Sequence, residues 1–229
     1  MRAPFSRTDV DKRFLEVQTL LSSIKSQESN ATPPIDTDDV KIIRGLFYVH
    51  LYGAFEKSVN EIVMYALREI DVLGIKYAHA SINFLPVALA STFQSLQAPT
   101  TDSKWKKRVE FVKTMQSSIA CKISDSIFYD QLQNVSPDRL REIILYLCLP
   151  MPYSDDDLLP IGEIVEKRNQ VAHGRTSPLR VGASVKSPEL QSRLIATISV
   201  VDQLIQCIES GLDSLHFVSP SFLEEYATA

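Results

Sequence analysis

The sequence is poor in the residues that build cross-linked or nucleotide-binding folds, with three cysteines and seven glycines among 229 residues. Cys121, Cys148 and Cys207 lie far apart and form no C-x-x-C pair, which excludes a disulfide framework and a zinc knuckle. The glycines form neither G-x-G-x-x-G nor G-x-x-x-x-G-K, so no phosphate-binding loop is encoded. We therefore expect a cytoplasmic protein that is not a nucleotide-fold enzyme.

Metal-binding and membrane-spanning patterns are also missing. The four histidines form no H-x-x-x-H or H-E-x-x-H pair. The acidic run Asp155–Asp157 follows Ser154, where the dipole of a helix start explains it better than a divalent cation does. The longest apolar run, Ile143–Leu149, is far shorter than the roughly 20 residues that span a bilayer. We expect no metal, no cofactor and no membrane segment.

The balance of charge is mildly acidic, with 24 Lys and Arg against 28 Asp and Glu and a formal charge of -4. With 45% hydrophobic and 23% charged residues, the composition is that of an ordinary globular chain, for which we predict one domain over residues 1–229. The acidity argues against a protein that coats nucleic acid or anionic membranes, because these need a large cationic excess. A local basic site remains compatible with it.

The apolar residues recur at helical spacing in nearly every strong segment, which predicts an all-α fold. Two core segments are expected, at 34–72 after a polar linker and at 154–212. Residues 74–135 are expected to hold helical insertions of uncertain packing, with helices near 86–96 and 105–119. The segment around Pro178 and Gly182 is predicted to be a loop, and residues 219–229 are weakly specified.

One short segment carries residues suited to chemistry. Arg168 and His173 are separated by four residues at the end of a predicted helix, with Asn169 after the arginine and Gly174 after the histidine. This pattern resembles the R-x4-6-H signature of the HEPN superfamily. The members of that superfamily are all-helical domains, and many of them are ribonucleases of toxin–antitoxin and phage-defence systems.

A second match to the pattern occurs at Arg44 and His50. It lies deep in the long early helix and Gly45 follows the arginine, so we interpret it as accidental. The surrounding segment, Arg44–Val59, nevertheless resembles the early core helix of the MAE_28990/MAE_18760-like group of HEPN nucleases, which are proteins of about this length.

The resemblance implies an HEPN-type helical bundle that acts as a metal-independent endoribonuclease, with Arg168 and His173 as catalytic residues and Asn169 in support. A histidine with a pKa near neutrality suits proton transfer to or from RNA, and arginine matches phosphate oxygens. The products would carry a 2′,3′-cyclic phosphate. HEPN domains pair their motifs across a shared cleft, which implies a homodimer, and the role would be a toxin or phage-defence protein with an antitoxin or defence partner.

Four other residues are considered beside the Arg168–His173 motif. Glu56 is a candidate to orient Arg168 or His173, although an isolated glutamate is more often a partly exposed helix residue. Arg44 is a second candidate that a surface charge explains as well. Tyr48 and Tyr52 are interpreted as core or interface aromatics. The alternatives for the motif are a histidine that stabilises the helix end and an arginine that pairs with a nearby acid such as Glu163.

Two basic stretches are candidates for RNA contact. Lys104, Trp105, Lys106, Lys107 and Arg108 combine positive charge with a ring that an unpaired base can stack on, although a solvated helix start explains them equally well. Arg175 and Arg180 follow the motif and are expected to extend its positive surface. The alternative to a nuclease is a non-catalytic HEPN-like module that binds RNA, nucleotide or a protein partner.

Overall fold

The fold is helical throughout the part of the chain that is described. A computed structural model describes residues 2–32, 35–97 and 104–227, and within them it contains helices, turns and two isolated β-bridges but no strand. In chain order the helices are α1 (Thr8–Gln27), α2 (Asp38–Val72), α3 (Leu85–Ala88), α4 (Ala90–Gln97), α5 (Lys104–Met115), α6 (Tyr129–Leu132), α7 (Pro137–Tyr146), α8 (Asp155–Ala172), α9 (Pro178–Ala183), α10 (Ser187–Asp213) and α11 (Leu223–Tyr226). The predicted all-α class is confirmed.

The two N-terminal long helices run in opposite directions. Arg13 near the start of α1 pairs with Glu61 late in α2, whereas Glu28, just past the end of α1, pairs with Arg44 early in α2. Each helix buries an apolar stripe against the other, which is the main source of helix stability in a bundle.

The two C-terminal long helices are also antiparallel. The Tyr153 hydroxyl, just before α8, donates to the Val200 carbonyl at 3.0 Å, and Glu163 pairs with Arg193 at 2.6 Å. Among the described helices, α10 is the one long and apolar enough to cross a bilayer, and half of that window is buried inside the protein. Its apolar face packs on α1, α2 and α8, as expected for the core helix of a bundle.

Local signals fix where these helices begin and end. The Ser154 hydroxyl accepts from the Asp157 N–H, and the Asp157 carboxylate accepts from the Ser154 N–H, which forms a capping box at the start of α8. Ser136 caps α7 by accepting from the Arg139 N–H. The stop of α8 is Gly174, whose φ of +65° is in the left-handed region that favours glycine.

The loop predicted around Pro178 and Gly182 is wrong, because this segment forms α9 and packs across the start of α2. A Cβ on Gly45 would lie 2.1 Å from the Pro178 carbonyl oxygen, and a Cβ on Gly182 would lie 1.7 Å from the Lys41 carbonyl oxygen. Two glycines therefore let the two helix backbones touch. This contact fixes the chain immediately after the Arg168–His173 motif.

The remaining differences lie away from the long helices. The helix predicted at 86–96 is broken at Leu89 into α3 and α4, and the one predicted at 105–119 ends at Met115. Residues 33–34, at the end of the predicted polar linker, and residues 98–103, between the helices predicted at 86–96 and 105–119, lie outside the described residues. The tail is more ordered than expected, since Tyr226 packs on His79 and its hydroxyl accepts from the Lys76 N–H.

Candidate active site

The guanidinium of Arg168 is held where α8 meets α2. Its Cζ atom lies 4.3 Å from the centre of the Tyr52 ring, Nη2 lies 3.9 Å from Glu56 Oε2, and Nη1 donates to Asn169 Oδ1 at 2.8 Å. The side chain is 23% exposed. Three neighbours therefore position the cation, while part of its surface still faces solvent.

The support beneath Arg168 is itself built from hydrogen bonds. The buried Tyr52 hydroxyl donates to Glu56 Oε2 at 2.6 Å, and the Asn134 side-chain amide lies 3.2 Å from the same hydroxyl. Burial, together with the bond to Glu56, raises the pKa of Tyr52 well above its ordinary value. The phenol is therefore neutral at physiological pH and acts as a donor that orients the Glu56 carboxylate.

His173 occupies a different environment at the end of α8. Its backbone N–H closes the last turn on the Asn169 carbonyl at 3.1 Å, and its side chain is exposed. Within the described residues the imidazole makes no hydrogen bond or ion pair with another side chain. Five residues separate it from Arg168, which corresponds to about 140° around the helix and about 7.5 Å along it. One chain does not bring the two functional groups into contact.

A groove of about 590 Å³ opens beside the motif, between α7 and the last turns of α8. It is lined by Ser136, Pro137, Gly162, Val165, Glu166, Asn169, Gln170, Arg175 and Thr176. Arg175 is thus brought to the same groove as Asn169. Arg180 lies exposed on α9, with its backbone N–H bonded to Ser177, and no contact joins its side chain to the motif in the described chain.

The structure does not bring Arg44 to this site. Its guanidinium is 1% exposed and pairs with Glu28 at 2.5 Å and Asp36 at 2.8 Å, and Asp36 also pairs with Lys186. Arg44 lies 12 residues before Glu56 on α2, about 18 Å along the helix. Both the supporting role and the surface charge considered for it are corrected, since it is the centre of a buried ion cluster.

The contacts of Glu163, Tyr48 and Tyr52 also bear on what the sequence predicts for them. Glu163, considered as a local partner of Arg168, pairs instead with Arg193 at 2.6 Å. Tyr48 and Tyr52 are both buried in the core, as predicted, and Tyr52 additionally lies beneath the motif arginine.

The basic stretch forms the first two turns of α5. Its members Lys104, Trp105, Lys106 and Arg108 are exposed, and Lys107 is partly buried. The Arg108 guanidinium stacks over the Trp105 ring at 5.0 Å. The cluster is therefore presented to solvent on a helix that packs against α4 and the turn at Tyr77–His79.

Sequence reasoning missed two residues of the site. Tyr52 lies four residues before Glu56 on one face of α2, and this spacing was a usable signal for their contact. Asn134 has no such signal, because it comes from a loop 82 residues away in the chain. Within the described ranges, no three His, Cys, Asp or Glu side chains are grouped so that they could hold a metal ion.

Comparison with known families agrees with the motif. A family model described as RiboL-PSP-HEPN matches residues 8–210, a range that runs from the start of α1 almost to the end of α10 and includes Arg168 and His173. The predicted superfamily is confirmed, through a different group of HEPN domains from the one that the early helix resembles. No curated protein and no solved structure is significantly similar to the chain.

Proposed function

Because the chain belongs to the RiboL-PSP-HEPN family, we propose that it is a metal-independent endoribonuclease with Arg168 and His173 as its catalytic residues. The observation that carries the proposal is the position of Arg168, a partly exposed cation that Tyr52, Glu56 and Asn169 hold in place five residues before an exposed histidine. A charge that only stabilised the helix would not need this support.

The proposed reaction uses the 2′-hydroxyl of RNA as the nucleophile. A base removes the 2′-OH proton, the oxygen attacks the adjacent phosphorus, and the bond to the 5′-oxygen breaks as that oxygen receives a proton. The neutral imidazole of His173 suits the first transfer and the imidazolium the second. Arg168 stabilises the additional negative charge on the phosphorane oxygens by bidentate, charge-assisted hydrogen bonds. The fragments end in a 2′,3′-cyclic phosphate and a 5′-hydroxyl.

A second copy of the chain would complete this site. Arg168 and His173 of one chain lie on different sides of α8, and two proton transfers are easier with two histidines than with one. We propose a homodimer in which two motifs face one cleft, so that two arginines form a confined positive site on an acidic protein. A toxin or phage-defence role with a controlling antitoxin or defence partner fits such an enzyme.

The test is cleavage of a labelled single-stranded RNA in EDTA by the purified chain and its variants. We expect wild type to cut, and His173→Ala and Arg168→Ala to lose roughly 10²-fold to 10⁴-fold in rate. His216→Ala and Arg68→Ala are matched controls, because they remove an exposed histidine and an exposed arginine away from the groove, and they should cut like wild type.

Two results would reject the nuclease. If wild type leaves RNA intact in EDTA but binds it, the chain is a non-catalytic RNA-binding module. If all four variants cut at the wild-type rate, the activity belongs to another site or to a contaminant. Light scattering that gives a monomer at micromolar concentration would reject the shared cleft while leaving the residue assignments to the cleavage assay.

A further inference from the structure

The helix α5 has an apolar stripe on its solvent side that packing within the chain does not explain. Trp105, Val109 and Val112 are 72%, 50% and 54% exposed, and their spacing places them within about 60° of one another around the helix. The opposite side carries Phe111, which packs on Phe93 of α4 at 5.0 Å. The exposed apolar stripe is therefore not the face that packs α5 against the rest of the chain.

Positive charge is concentrated around this stripe. In its 12 residues α5 carries five cationic side chains and one acid, whereas the other 217 residues carry 19 cations and 27 acids, a formal charge of −8. Lys106 and Lys113 flank the stripe on one side, and Lys104 and Arg108 flank it on the other. The helix is therefore a local centre of positive charge that attracts anions to this otherwise acidic protein.

We propose that this α5 surface, formed by Lys104, Trp105, Lys106, Arg108, Val109, Val112 and Lys113, binds a single-stranded stretch of RNA. Unpaired bases pack on the indole and the valines, and the flanking cations meet the phosphates on either side. The Arg108 guanidinium, already stacked over Trp105 at 5.0 Å, extends the flat platform that bases use. An anionic lipid surface is the weaker occupant, because three apolar side chains give little area for membrane insertion.

The surface is separate from the candidate active site. The chain after α5 is tied to the turn that follows α2, where the Ala78 N–H donates to the Ser117 carbonyl at 3.1 Å, whereas Arg168 packs on the middle of α2. The proposal rests on the proposed ribonuclease function, to which it adds a second point of contact. Long RNA reaches both points and short RNA reaches one, so cleavage should favour long substrates.

The test measures binding without cleavage, using a mixed-sequence RNA of about 30 nucleotides in which every ribose is 2′-O-methylated, so that no 2′-hydroxyl can attack. By fluorescence anisotropy we expect Lys104→Glu/Lys106→Glu/Lys113→Glu to bind at least about tenfold more weakly than wild type, with a shallower dependence on salt. Trp105→Ala should weaken binding by about tenfold with the salt dependence unchanged.

A matched control reverses three exposed lysines elsewhere, Lys12→Glu/Lys25→Glu/Lys57→Glu, and should bind within about twofold of wild type. Equal losses in both triple variants would overturn the proposal, because only net charge would then matter. Binding to phosphatidylserine vesicles without binding to RNA would also overturn it. If the α5 variants bind and cut normally while His173→Ala is inactive, the nuclease stands and the α5 surface fails; the reverse outcome supports the surface and rejects the nuclease.

Discussion

The chain contains two arginine–histidine pairs of similar spacing, and their surroundings are opposite. Arg44 is buried and pairs with the carboxylates of Glu28 and Asp36. These ion pairs join α2 to the end of α1 and to the segment between the two helices. Arg168 packs on the Tyr52 ring, lies 3.9 Å from the Glu56 carboxylate and is partly exposed to solvent. The same arginine–histidine spacing thus occurs around a buried structural cation in one place and around a partly exposed cation in the other.

The difference between Arg44 and Arg168 should be largest in their contributions to stability. Arg44→Met should lower the free energy of unfolding by about 3 kcal/mol, because it removes the buried guanidinium that the carboxylates of Glu28 and Asp36 share. That corresponds to a fall in Tm of roughly 6–12 °C for a chain of this size. Arg168→Met should cost about 1 kcal/mol, since it loses a long ion pair and a cation–π contact.

Thermal unfolding followed by circular dichroism measures both variants under the same conditions. Equal losses of stability would contradict the distinction between the two arginines. A stable Arg44→Met protein would show that the ion cluster contributes little beyond its desolvation cost.

The pH dependence of stability tests whether the ion cluster around Arg44 holds Asp36 in its charged form. Hydrogen bonds from Lys186, the Ser29 N–H and Arg44 hold the pKa of Asp36 well below its usual range. A depressed pKa means that the stability from Asp36 is present above the pKa of the unfolded chain, about 3.9, and is lost as the pH falls below it. Asp36→Asn should therefore lower stability by about 2 kcal/mol at pH 7 and by a smaller amount at pH 3, and the difference should vanish only as the pH approaches the much lower pKa of Asp36 in the folded state.

Urea unfolding at the two pH values tests this. Asp39→Asn is the control, because Asp39 is an exposed acid at the start of the same helix. A gap between Asp36→Asn and wild type that stays constant down to pH 3 would show that the carboxylate is not held in its charged form.

A smaller effect than that of Arg44 is expected for the contacts that support Arg168. Tyr52→Phe removes the hydroxyl that donates to Glu56 and should cost about 1.5 kcal/mol of stability. Cleavage should slow by about tenfold, which corresponds to about 1.4 kcal/mol of lost transition-state stabilisation as Arg168 loses its fixed position. Tyr48→Phe is a matched control one turn earlier, since the buried Tyr48 hydroxyl faces Glu163 and Arg193 instead of Glu56.

Single-turnover cleavage and chemical unfolding of the two variants provide the readouts. Slower cleavage in Tyr52→Phe alone supports a positioning role for the phenol. Equal effects in both variants would indicate that only packing is disturbed.

Features that depend on neighbouring residues could be read from the sequence. Ser136 and Ser154 start their helices, Gly174 ends α8, and the long α2 follows from its apolar spacing. These signals lie within a few residues of the structure they determine. The arginine–histidine motif is equally local, and so the candidate site could be located before the fold was known.

Features that depend on distant contacts could not be read in this way. The helix α9 looks like a loop because its position depends on Gly45, more than 130 residues away, which allows close backbone packing. The buried ion cluster around Arg44 has no local signal, because Glu28 lies within the polar linker and Asp36 just after it. Asn134 reaches Tyr52 only after the bundle has assembled.

The most direct test of the central claim uses one RNA with a mapped cleavage position and a copy in which the single nucleotide 5′ to that position carries 2′-deoxyribose. If the 2′-hydroxyl is the nucleophile, wild type cuts the first RNA in EDTA to give a 2′,3′-cyclic phosphate and a 5′-hydroxyl, identified by mass, and does not cut the copy there. Cleavage of the deoxy-substituted copy at that position, or fragments with a 3′-hydroxyl and a 5′-phosphate, would contradict it.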